Sequence, residues 1–545
     1  MEFNLADLFE SAVDRFPERE ALVCEGERRT YAALEARANR LAHALRDAGI
    51  GPGDHVGIYA QNRAEWVEAL WAIFKLRAVW ININYRYVRE ELRYLMGNAD
   101  LRALVVERQY AGRAAEVREA LPLLGRVFLL EDGSDAPPPD GLDWTPYEAA
   151  LAAGSPERDF GPRSGDDRYV LYTGGTTGLP KGVVWRHEDV FMALGGGIDP
   201  YTNQKVARPE EVAAKGEGQP PVTFLATAPL MHGASQWAVM GQSFVGNKTV
   251  LMRKFDARRA WELVERERVQ VVMITGDAMG RPLIEALLGS ESHRDVSSLI
   301  SLTSTAATFS PSVKEQFLAR FPGLILIDAI GSSEGGNNGM IVLRSGETAM
   351  KGGPTVNRIG DTVVLDEHGE PLPPGSGRIG KIARSGHVPL EYYKDPEKTA
   401  ATFVEIRGVR YAIPGDFATV EADGRITLLG RGSVSINSGG EKIFPEEVEA
   451  AVKSHPAVFD CVVVGVPDER WGERVAAVVE LRPGERAELG AIQAHCRERI
   501  AGYKVPRELH PVERIVRSPA GKPDYRWARR VAVGEGAGRE EEQTA

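Results

Sequence analysis

The sequence predicts an α/β protein: a large N-terminal domain on a mostly parallel sheet, followed by a small α+β domain. Three observations carry this. Helical patterns alternate with short apolar, β-branched runs along most of the chain, the signature of helices packed on a parallel sheet. After "HGEPLPPGSGRIGKIAR" the pattern changes to short strands and turns before a last compact unit. Finally, 545 residues are too many for one hydrophobic core, so at least two domains are expected.

Taken in order, "TYAALEARANRLAHALRDAG" reads as a helix, "HVGIYA" as a strand, "AEWVEALWAIFKL" as a helix and "LRALVVE" as a strand. The proline cluster "DGSDAPPPDG" is a loop. Strand-like residues 167–172 feed a Gly/Thr loop, and "GVVWRHEDVFMAL" is a short strand running into a helix. Residues 195–220, polar and rich in Gly and Pro, form a long surface excursion. The alternation resumes in "QPPVTFLATAPL", "KTVLM", "ARRAWELVERERVQVVMIT" and "GLILIDAIG". The domain boundary falls near Gly432, giving domains 1–432 and 433–532. In the second, a helix begins at Pro445, "DCVVVGV" and "RVAAVVEL" are strands, "LGAIQAHCRERIAGY" is a helix, and a strand lies near "HPVERIV". The tail 533–545 has the composition of disorder.

The formal net charge of -11 opposes a general nucleic-acid or anionic-membrane role. Three widely separated cysteines, Cys24, Cys461 and Cys496, support neither a disulfide framework nor a zinc site. The N-terminus lacks a basic segment followed by an apolar one, and every long apolar stretch is interrupted by charges. A cytoplasmic location without a transmembrane segment is the expectation.

The stretch "YTGGTTGLPKGVVW" (172–185) is the sharpest chemical signal. Glycines allow backbone N–H groups to turn toward an anion, threonine hydroxyls add donors, and Lys181 adds a positive charge. A phosphate-gripping loop follows. It is not a Walker loop, because Pro180 precedes Lys181 and Gly182 follows it, where that motif requires Gly before the lysine and Ser or Thr after it.

Further blocks recur in a fixed order: "TSTAATFSP", "IGSSEGG", "YAIPGDFATV", "LGRGSVSINSGGEKIFPEEVE" and "SPAGKPDYR". Together with the loop they resemble the adenylate-forming acyl-CoA synthetases, a superfamily that also holds luciferases and the adenylation domains of peptide synthetases. The resemblance covers the chain up to its tail. It implies a large N-terminal domain of layered sheets and helices, a small mobile C-terminal domain, and two half-reactions. A carboxylate and ATP give an acyl-adenylate and pyrophosphate; coenzyme A then takes the acyl group and AMP leaves.

The resemblance also implies roles for residues. ATP would be held by Thr173, Gly174, Gly175, Thr176, Thr177, Gly178 and Lys181 of the loop. Thr305, Ala306, Ala307, Asp328, Ala329, Ile330, Gly331, Ser332 and Ser333 would surround adenine and the α-phosphate. Ile330 stands where the family has a tyrosine, and Asp328 would accept the adenine amino group, although alone it reads equally as a turn or cap residue. Asp416 would chelate the ribose hydroxyls and Arg431 would contact ribose or phosphate; without the resemblance, Gly415 and Asp416 would read as a turn. Glu334, with Thr173, would ligate Mg²⁺, a hard cation suited to oxygen donors. Lys522, alone an ordinary surface lysine, would be the catalytic lysine bridging carboxylate and α-phosphate, beside Glu334 and Lys181.

Trp185, His232, Gly276, Asp277, Ala278 and Gly331 are the expected acyl pocket, with His232 also at the thiol tunnel beside Ser438, Gly439, Gly440, Glu441 and Lys442. For His232 a packing or capping role is the alternative; for the small residues of "ITGDAMG" it is packing of a helix start. Gly432 and Ser433 mark the hinge, Ser433 standing where the family usually has an acidic residue or lysine. The loop with Trp185, "IGSSEGG" and "ITGDAMG" are most similar to bacterial synthetases for fatty acids and for polycyclic acids such as steroids or terpenoids. A stand-alone enzyme loading a carrier protein would share every ATP motif, as would a luciferase-like oxygenase. The resemblance leaves room for a homodimer.

Overall fold

The computed structural model describes residues 2–173, 179–288, 294–347, 354–438, 441–468, 471–518 and 521–535. The loop glycines and threonines 174–178 and the tunnel glycines 439 and 440 lie outside them, as does most of the tail.

Two parallel sheets carry the N-terminal part, as the alternation predicts. In the larger, the strands Glu20–Cys24, Lys248–Leu251, Thr223–Ala226, Val271–Ile274, Ser301–Ser304 and Ile325–Ser332 run parallel. The smaller has the order Val79–Asn82, His55–Tyr59, Leu101–Glu107, Arg126–Leu130, Trp144–Pro146, all parallel. Both are sandwiched by helices, so their strands read as apolar runs.

Beyond Ile325–Ser332 the larger sheet continues antiparallel through Gly336–Leu343, Thr355–Arg358, Ile426–Arg431 and Asp416–Val420. This is the region of short strands and turns. A third sheet joins Arg168–Thr173, Lys181–Arg186 and Glu391–Tyr392, and its first hairpin presents the Gly/Thr loop.

The main core lies between the sheets. Helices Leu5–Arg15, Tyr31–Asp47 and Ala64–Lys75 meet there, with Phe9 stacked on Trp71 at 4.3 Å between ring centroids. Each such buried aromatic contributes roughly 1.5–3 kcal/mol of transfer free energy. A second core gathers helices Ala257–Glu267, Asp277–Leu288 and Pro311–Arg320 through Trp261, Leu283 and Phe317. Asp256 caps the first of these by accepting from Arg259 N, which fixes where that helix begins.

The C-terminal unit has its own cores. Strands Val458–Asp468 and Gly472–Leu481 pair antiparallel, with Glu508–Val512 parallel on the outside. Cys461 and Val463 face Val448, Ile492 and Cys496, while Val462 and Val464 face Ala528 and Ala532. Burial on both faces explains the unbroken apolar run. The helix Leu489–Arg497 is shorter than expected, and the helix Tyr525–Ala532 was not foreseen. All three cysteines are free and buried. Among the described residues no helix is long and apolar enough to cross a membrane.

Candidate active site

A cavity of about 210 Å³ opens where the small domain meets the large one. Ala306, Ala307, Asp328, Ala329, Ile330, Gly331 and Asp416 line it from the large domain; Val434, Glu446, Lys522 and Tyr525 line it from the small one. Three separated sequence blocks thus share one wall, and the lysine of the last block joins them.

The strand Ile325–Ser332 positions that wall. The chain reaches it after Ser301–Ser304 through a turn in which Ala306 takes φ 68° and Ala307 N donates to Thr305 O at 2.9 Å. A left-handed alanine costs free energy and persists only where its surroundings impose it; here the turn runs the backbone along the cavity. Thr305 itself does not line the cavity. Asp328 is 3% exposed and accepts from Lys314 Nζ at 2.5 Å. Burial pushes its carboxyl above the ordinary value although Lys314 opposes the shift. Lys314, also on the wall, carries no sequence motif and was missed.

Lys522 is presented by a tight turn: Gly521 N donates to Ser518 O and Ser518 N to Lys522 O, both at 2.8 Å. Gly521 has φ 73°, a conformation that favours glycine. Arg517 braces this turn, donating to Gly521 O at 2.9 Å and to both oxygens of Asp460 at 2.7 Å.

Glu334 sits on the turn after Ile325–Ser332, and its Oε1 accepts from the Tyr392 hydroxyl at 2.8 Å. Lys181 lies over the ring of the same tyrosine, 5.6 Å from its centroid. The pairing of Tyr392 with Val183 brings these residues together. Tyr392 was not singled out by sequence, because an isolated tyrosine in "LEYYKDP" carries no motif. Thr173 ends its strand opposite Lys181, so both flanks of the Gly/Thr loop converge beside Glu334.

Two buried asparagines fix the approach to His232. Asn62 donates to Ala228 O and Met252 O at 3.1 Å and accepts from Leu230 N at 2.7 Å. Asn82 donates to Tyr172 O at 2.7 Å and Met231 O at 2.8 Å, and accepts from Tyr172 N. Together they tie residues 228–231 to the strand that feeds the loop. His232 follows at the start of helix Gly233–Phe244, with Nε2 shut off from solvent and unpaired. Burial first, then the positive charges of Lys522 and Arg86, push its imidazole down to about 3. It is neutral at physiological pH, and it does not line the cavity described above.

Other expected residues lie elsewhere. Trp185 is wholly buried and donates Nε1 to Ser333 O at 3.0 Å, so it braces the "IGSSEGG" segment and does not line the cavity. Ser332 Oγ accepts from Gly335 N at 2.8 Å and shapes the same turn. Gly276 has φ 57°, and a Cβ there would meet Thr308 O at 2.3 Å: it packs a helix start. Asp277 and Ala278 face the small domain, not the cavity; Asp277 pairs with Lys453 at 3.1 Å. Ser438 pairs with Glu441, and Ser438 does not line the cavity. Gly432 and Ser433 lie in the 3₁₀ turn Gly432–Val434 directly after the strand carrying Arg431.

Comparison with known proteins places this geometry. The sequence model described as AMP-binding enzyme matches residues 9–393, and that described as AMP-binding enzyme C-terminal domain matches residues 447–522. A 3-oxocholest-4-en-26-oate–CoA ligase of Rhodococcus rhodochrous is 53% identical over 97% of this chain and 96% of its own. A medium/long-chain-fatty-acid–CoA/3-oxocholest-4-en-26-oate–CoA ligase of Mycobacterium tuberculosis (strain ATCC 25618 / H37Rv) is 52% identical over 96% of this chain and 95% of its own. Among solved structures, an anthranilate CoA ligase in complex with anthranoyl-AMP superposes with a TM-score of 0.83, covering 98% of both chains at 24% identity, a likeness of fold. With both family models matched in order and relatives sharing half their residues over nearly the full length, the chain belongs to the AMP-binding enzyme family and is an adenylate-forming acyl-CoA synthetase.

Proposed function

We propose that the acid activated is a long-chain or polycyclic hydrophobic carboxylate, of the fatty-acid and steroid side-chain type, and that coenzyme A, not a carrier protein, is the acceptor. The observation that carries this is identity above 50% over nearly the whole chain to ligases named for such acids and for CoA. In the first half-reaction a carboxylate oxygen attacks the α-phosphorus of ATP and the bond to pyrophosphate breaks. In the second, the thiol sulfur attacks the acyl carbonyl and AMP leaves. The anhydride makes the acyl carbon a good electrophile at neutral pH.

Lys522, reaching the cavity from the small domain, neutralises charge between carboxylate and α-phosphate. Asp416 on the same wall holds the ribose, and Ala306 to Ala307 pass their backbone along adenine, with Ile330 closing the other side. Lys181 and the Gly/Thr loop hold the departing pyrophosphate. Among the described residues no cluster of three His, Cys, Asp or Glu could hold a metal unaided. That suits Mg²⁺, which takes one or two carboxylates and shares its shell with substrate phosphates. Glu334 fits, since its charge is met by a neutral hydroxyl, not by a cation; Thr173 would add an oxygen. Bound there, Mg²⁺ would withdraw charge from the phosphates.

Lys522 and the "SGGEK" segment belong to the same small domain, so we place a rotation at Gly432 and Ser433 between the half-reactions, in a cytoplasmic enzyme. The test is thioester formation across acetate, octanoate, palmitate and a steroid side-chain acid, with CoA and with a phosphopantetheinyl carrier protein. Preference should rise with apolar size, since each buried methylene contributes about 0.8 kcal/mol, and CoA should be used. Preference for acetate, or transfer to the carrier alone, would overturn the reading.

A further inference from the structure

The interface between the domains holds a feature that ATP chemistry does not require. Asp277 opens the helix Asp277–Leu288 of the large domain, and Lys453 closes the helix Pro445–Lys453 of the small one. Their side chains meet at 3.1 Å with 6% and 1% exposure. Asp277 is fixed by Ser310 N, which donates to its Oδ1 at 2.8 Å. Around the pair, the Arg281 and Arg482 guanidiniums lie 5.7 and 5.9 Å from the ring centroid of Phe459. At the rim Arg482 pairs with Glu285 at 2.7 Å. The interface therefore has one dry ion pair inside, a phenylalanine ring flanked by two guanidiniums, and one partly exposed pair at its edge.

It adjoins the catalytic lysine. A Cβ at Gly521 would come within 2.9 Å of Ala278 Cβ and 3.1 Å of Thr275 O, so the turn bearing Lys522 rests on the backbone beside Asp277. On the other side Lys453 lies in the field of Asp460, the carboxylate that holds Arg517 and, through it, Gly521 O.

We propose that Asp277 and Lys453 are positioning residues that latch the small domain in the arrangement placing Lys522 in the cavity, and that the pair separates for thioester formation. A buried ion pair costs desolvation, and losing one partner normally strands a charge. Each partner has a group of opposite sign on its own domain: the Asp460 carboxylate acts on Lys453, and Arg281, one turn along the helix from Asp277, acts on the Asp277 carboxylate. The pair is strong only when the domains meet, which is what a reversible latch needs. This rests on the two-step reading above.

The test separates the half-reactions in Lys453→Met and Asp277→Asn. Single-turnover pyrophosphate release with acid and Mg·ATP reports the first step; thioester formation from a preformed acyl-adenylate and CoA reports the second. The first should slow between about 5- and 150-fold, the usual span for coupling between two states, while the second is unchanged or faster. A rescue makes the test specific. Glu285→Cys and Arg482→Cys, both one-third exposed, can be bridged by a short bis-maleimide, the three native cysteines being buried. In the Lys453→Met background that bridge should restore pyrophosphate release and block thioester formation. Equal loss of both steps, or no rescue by the bridge, overturns the latch. Absence of any pyrophosphate release from the unaltered enzyme would instead overturn the two-step reading.

Discussion

Tyr392 donates its hydroxyl to Glu334 at 2.8 Å while its ring lies beneath the Lys181 ammonium. One side chain thus orients both the carboxylate assigned to Mg²⁺ and the lysine assigned to the leaving phosphates. It does so from the strand Glu391–Tyr392, remote in sequence from each.

Tyr392→Phe keeps the ring and removes the hydroxyl. A hydrogen bond worth about 1 kcal/mol corresponds to a roughly fivefold change in an equilibrium constant. The Mg²⁺ concentration giving half-maximal adenylation should rise by about that factor, with the rate at saturating Mg²⁺ nearly restored. A fall in rate that Mg²⁺ cannot restore would remove the orienting role.

Glu334→Gln retains shape and loses the charge. Adenylation should drop by about 10²-fold or more, since a neutral amide is a poor ligand for a hard cation. Rates titrated against Mg²⁺ provide the check, and unchanged rates at limiting Mg²⁺ would rule out metal ligation.

Asn62→Ala leaves the carbonyls of Ala228 and Met252 and the N–H of Leu230 without their buried partner. Such a loss costs roughly 1–3 kcal/mol. Denaturant unfolding should show that loss in the midpoint, and the KM for the acid should rise as the turn before His232 loosens. An unchanged midpoint would mean that water replaces the amide.

Ser433→Pro fixes φ near the proline value of about -65° in the turn Gly432–Val434. A Cβ on the neighbouring Gly432 would meet Phe417 Cε2 at 2.5 Å, so that position requires glycine. The variant should make adenylate and pyrophosphate in a single turnover yet form thioester slowly at saturating CoA. Full overall turnover would place the hinge elsewhere.

Much of the fold was legible because local patterns and long-range burial agree. The apolar run "DCVVVGV" is a strand covered on both faces, and the alternation before residue 330 does give parallel sheets. The helix Tyr525–Ala532 escaped notice because it buries only one narrow stripe, Ala528 and Ala532, beneath several arginines. Of the site, the ordered blocks located Asp328, Ile330, Asp416 and Lys522, which do share one cavity. Residues that act through pairing between distant segments were not legible: Tyr392 beneath Lys181, Asn62 and Asn82 beneath the His232 turn, Lys453 against Asp277. Trp185, expected at the acyl pocket, is buried and bonded to Ser333 O, a placement that an aromatic beside a loop does not reveal in sequence.

The central claim is that Lys522 serves the first half-reaction from the small domain and leaves for the second. Lys522→Ala measured in both half-reactions tests it most directly. The account predicts that pyrophosphate release falls by about 10²-fold or more, the scale of a lost transition-state charge contact, while a preformed acyl-adenylate is converted to thioester at close to the normal rate. Parallel loss of both steps, or undiminished pyrophosphate release, would contradict it.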